Sequence, residues 1–202
     1  MLKARLFDIS LFLTALAIAF SSDQILINHT DFIKILFVFW LFSSLYYHLR
    51  VFSKNGSTNW EHGISYDISF AMVAGPLGLF IFEFIYRFTV YFYKKWTKTA
   101  DSNEFLDTLY NIGSFVITNS IAYFLFLKLH STFEGVPFGF WILMCLLVSV
   151  SSILSSIFLV LVFYIVGDFK TVKKRVSISF LKAEAGSTSL KWLLQTDFYF
   201  SF

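Results

Sequence analysis

Charge is scarce in this sequence. Only 14% of its 202 residues are Asp, Glu, Lys or Arg, against about 25% in a typical soluble domain. Cysteine occurs once, as Cys145 inside an apolar run. A disulfide framework and a thiolate zinc site are therefore both excluded. Proline occurs twice, at Pro76 and Pro137, so any helix break must be sought near those two points. Internal repeats, proline-rich linkers and low-complexity tracts are missing, as are H-E-x-x-H spacing, a nucleophile motif and a phosphate-binding loop. A net charge of +3 gives no argument for nucleic acid, and none is expected as a partner.

What fills the chain is apolar. Hydrophobic residues make up 57% and aromatic residues 21%, more Phe, Ile and Leu than a soluble core of this length can hide. A membrane-crossing helix needs about 20 predominantly apolar residues. Residues 32–51, 105–129 and 140–166 meet that need. Residues 9–20 form a shorter run behind Lys3 and Arg5, read as a first span rather than a cleaved signal peptide. The lipid bilayer is the first partner this composition implies.

The remaining apolar stretch, 63–93, is broken by Gly75-Pro76. Proline lacks an amide hydrogen and disfavours helix at the residue before it. The spacing predicts a helical hairpin with a short arm before the break and a longer one after it. The expected fold is an all-α, polytopic membrane bundle of about six helical segments over residues 1–176.

Lys and Arg are distributed unevenly between the connections. The N-terminus, the 50–62 and 94–104 loops and the 170–175 stretch are basic, while the 21–31 and 130–139 loops are not. By the positive-inside rule this places both termini on the cytoplasmic side of the membrane. From residue 177 to 202 the pattern changes, and this atypical tail is neither a clean span nor a clear soluble helix. Two readings stand. A frameshift ends the reading frame early, or an amphipathic tail lies on the membrane through Phe180, Leu181, Trp192, Leu193 and Leu194.

Polar groups inside apolar runs are costly and mark candidate sites. Asp67, Glu83 and Arg87 lie in the broken hairpin, with Glu83 and Arg87 one helical turn apart in the favoured order. An internal ion pair is the plain reading and a ligand or proton site the sharper one. Asn111, Ser114 and Thr118 share one helix face, and Asn119 sits deep in the same run. Ser149, Ser152 and Ser156 share another face, beside Ser151 and Ser155. Such residues allow close helix approach and interhelical hydrogen bonds. Asp67, Glu83, Arg87, Asn111, Asn119 and Ser152 are the candidate ligand-binding residues. The E-x-x-x-R spacing also occurs in intramembrane proteases that process prenylated peptides. Those carry a doubled Glu, whereas residue 82 here is Phe, and no matching His follows within a span.

Three stretches, SYDISFAMVAGPLGLFIFEFIYRFTVYFYKK, FLDTLYNIGSFVITNSIAYF and VPFGFWILM, set in this order of spans and basic loops, carry a resemblance. The chain resembles the multi-spanning N-terminal sensory region of bacterial GGDEF diguanylate cyclases of the Bacillus type, over about residues 1–175. In that family the region precedes a cytoplasmic domain that makes cyclic di-GMP. The G-G-D/E-E-F sequence is absent here, so the resemblance implies a truncated signal-input module with no catalytic residue, no cofactor and no enzyme activity of its own. An unidentified small ligand and a homodimer are its expected partners. The A-G-P-L-G break also resembles substrate-binding membrane subunits of small-solute and vitamin importers, which is the alternative reading.

Overall fold

The computed structural model describes residues 2–22, 25–51 and 66–166, and everything below concerns those residues. They form five helices: α1 (Leu2–Ser21), α2 (His29–Val51), α3 (Tyr66–Trp96), α4 (Glu104–Phe133) and α5 (Gly139–Val166). One compact unit covers Leu2–Phe158, and the last turns of α5 from Leu159 belong to a second. Three helical stretches are long and apolar enough to cross a membrane: Asp67–Trp96, Glu104–Phe133 and Gly139–Val162. By length and composition these three fit a membrane protein, and among the described residues helix is the one regular secondary structure. The 167–202 stretch, with its basic exit and atypical tail, lies outside the described residues.

The expected six segments are five, because the break at Gly75-Pro76 occupies a single residue. Gly75 has φ 75° and ψ 177°, a backbone region essentially reserved for glycine. Pro76 follows as the first residue of the resumed helix, where its missing amide hydrogen costs least. The two expected arms are therefore one helix, α3, folded back on itself. Ala74 and Gly78 pair about Pro76: a Cβ placed on Gly78 would stand 2.5 Å from that of Ala74. Phe70 and Phe82 pair about the same point, with rings stacked at 4.7 Å. An unbroken helix would separate those two residues by about 18 Å. The carbonyl of Ala74, released by the break, accepts from the Leu26 amide at 3.4 Å. The α1–α2 connection thus closes over the fold.

α4 sits at the centre of the compact unit, buried almost all round from Ile112 to Tyr123. α1 presents Asp8, Leu11, Ala15 and Ala19 to the interior, a spacing of three and four that places them on one face. The backbones meet at Gly113, where a Cβ would lie 2.7 Å from the Leu11 carbonyl carbon and the Phe12 nitrogen. Small residues on both sides permit this approach. α2 lies along α3 through aromatic rings. Phe39 meets Phe70 and Phe82 edge-on at 5.2 and 6.2 Å, and Trp40 donates to Thr89 Oγ1 at 3.0 Å.

The polar contacts sort by end. Tyr47 meets Tyr93 at 6.2 Å, and Lys94 bonds Glu104 at 2.7 Å across the α3–α4 turn. Both lie at the basic-loop end. The Leu26–Ala74 bond lies at the opposite, non-basic end.

A buried polar thread through three helices

Glu83 follows the fold in α3 by two turns, and its side chain is wholly buried. Its Oε2 accepts from Arg87 Nε at 3.0 Å, and Arg87 itself is only 11% exposed. The guanidinium carbon lies 4.6 Å from the centre of the Phe115 ring on α4 and 5.2 Å from that of Tyr86. Both are within cation–π range. The other carboxylate oxygen of Glu83, Oε1, is buried with no hydrogen-bond partner. A buried acceptor left in that state costs free energy.

The thread continues on α4. Asn119, 1% exposed, donates through Nδ2 to the carbonyl of Phe115 at 2.9 Å. Its Oδ1 accepts from Ser151 Oγ on α5 at 2.9 Å. Beside it, Ser155 Oγ reaches Thr118 Oγ1 at 3.5 Å. Leu143 and Leu147 are fully buried in a small cluster with Ile68 and Ala122. With Ser151 they step along α5 by four residues and form its inward face.

The structure joins three of the six candidate residues, Glu83, Arg87 and Asn119, through Phe115. Asp67 stands half-buried in the first turn of α3, where a carboxylate is favoured by the helix dipole. Asn111 is half-buried one turn before Phe115, and its carbonyl accepts from Ser114 Oγ at 3.2 Å. Ser152 is exposed, and its carbonyl accepts from Ser156 Oγ at 2.9 Å. Its neighbour Ser151 makes the interhelical contact. Ser151 lies four residues beyond Leu147, which was the available signal.

Asp8 stands apart from the thread, buried on the α1 face that packs on α4. No group of His, Cys, Asp and Glu that could hold a metal ion occurs among the described residues. No family model matches this chain, and neither does any curated protein or solved structure.

Proposed function

We propose that this chain is a multi-pass signal-input module of a cyclic di-GMP signalling protein, set in a bacterial plasma membrane with both termini cytoplasmic. The observation that carries the reading is the attachment of α5. Only 11% of its apolar window is buried, against 61% and 56% for α3 and α4. Its inward face is narrow, and the polar part of that face is the end of the thread from Glu83. A rearrangement of the Glu83–Arg87 pair shifts the Phe115 ring, then Asn119, then the hydrogen bond to Ser151. Interhelical hydrogen bonds of this kind are worth about 1 kcal/mol, so α5 changes register at small cost.

The proposed orientation is supported by the sorting of polar contacts. The basic end of α3 and the end of α2 gather with the acidic start of α4 at one end of the unit, and the Leu26–Ala74 bond lies at the other. The output module would lie beyond this chain. Sequencing the gene past this reading frame tests that point: a GGDEF coding region supports the module, and a neighbouring ATPase pair turns the reading to a small-solute importer. Function is tested by cyclic di-GMP levels in cells carrying the complete gene. Asn119→Leu is expected to change them at least threefold at unchanged protein abundance. An unchanged level ends the proposal.

A further inference from the structure

The turn between α4 and α5 carries a groove of about 460 Å³ that has no part in the polar thread. Its size falls within the roughly 300–1,000 Å³ of small-molecule sites. Phe133, Phe138, Phe140 and Trp141 line it with rings, and His130 and Glu134 are the ionisable side chains that line it among the described residues.

Three features set the chemistry. Among the described residues, Glu134 is an exposed carboxylate that takes part in no ion pair, and no Lys or Arg lines the groove. The Phe140 and Trp141 rings meet edge-on at 5.5 Å. Phe138 holds φ 58°, a left-handed conformation that bulky residues rarely adopt. Its ring is 79% exposed, so packing within the chain does not repay the strain. Strained backbone of this kind clusters at ligand clamps.

We infer that this groove binds an organic ammonium group. Aromatic faces attract such a cation through their quadrupoles, and a nearby carboxylate balances its charge. A free amine and the headgroup of an ethanolamine or choline lipid present the same chemistry. The site is independent of the signalling reading, because it needs only the α4–α5 turn.

The probe is choline, titrated calorimetrically into the full chain in nanodiscs made only of phosphatidylglycerol, a lipid without an ammonium group. The expected result is saturable binding at least tenfold tighter than that of 3,3-dimethylbutanol, the neutral carbon analogue. Glu134→Gln and Trp141→Leu are each expected to weaken choline binding at least tenfold and to leave dimethylbutanol less affected. No saturable choline binding, equal binding of the two probes, or an unchanged affinity in both variants overturns the inference. Repeating the titration with phosphatidylethanolamine in the discs separates the sources. An unchanged affinity assigns the site to a free amine, and lost binding assigns it to the lipid headgroup. Both results uphold ammonium recognition.

Discussion

Glu83 has no access to water, one oxygen on a guanidinium and the other on nothing. Arg87, one turn away, is what makes the buried charge tolerable. Glu83→Leu alone removes the carboxylate beneath a nearly buried Arg87, and a loss of about 3–5 kcal/mol is expected, as for other broken buried pairs. The double variant Glu83→Leu/Arg87→Leu should lose less than Glu83→Leu alone. Denaturation of purified protein in detergent, analysed as a double-mutant cycle, measures both.

At the scale of elements, the fold of α3 and the seating of α5 carry the structure. Gly75→Ala places a side chain where φ is 75°, and a destabilisation of about 1–3 kcal/mol is expected in thermal melts. Ser151→Ala and Ser152→Ala form a matched pair on α5. The first removes the bond to Asn119 and should cost about 0.6–1.7 kcal/mol. The second alters an exposed side chain and should cost nothing measurable. The break in α3 was legible in the sequence because glycine and proline limit the backbone wherever they stand. The choice between Ser151 and Ser152 was not. Serines at 149, 151, 152, 155 and 156 leave the phase of the helix open, and packing of Leu143 and Leu147 on Ile68 and Ala122 decides it. The groove at the α4–α5 turn was hidden for a similar reason, since it exists only once the turn closes.

For the whole molecule, the apolar runs announced helices in a membrane, and their length and composition suffice for that. The segment count did not follow from them. A break confined to one residue leaves helical hydrogen bonding intact on both sides, so two expected arms became one folded helix. Orientation is open to direct measurement. Reporter fusions after residues 51, 98 and 166 should report the cytoplasmic side, and fusions at 24 and 135 the opposite side. Any other pattern would mean that the Lys and Arg distribution does not set the topology.

α1 finds its main partner not in α2 but in α4, about a hundred residues further along the chain. At roughly 5–20 residues per second on the ribosome, some 5–20 seconds pass between the emergence of Ala15 and that of Gly113. During that interval the small-residue stripe of the first helix and its acidic residue face lipid, insertase or nothing. A nascent chain halted anywhere before its fourth helix thus presents quality-control proteases with a ready-made mark of incompleteness.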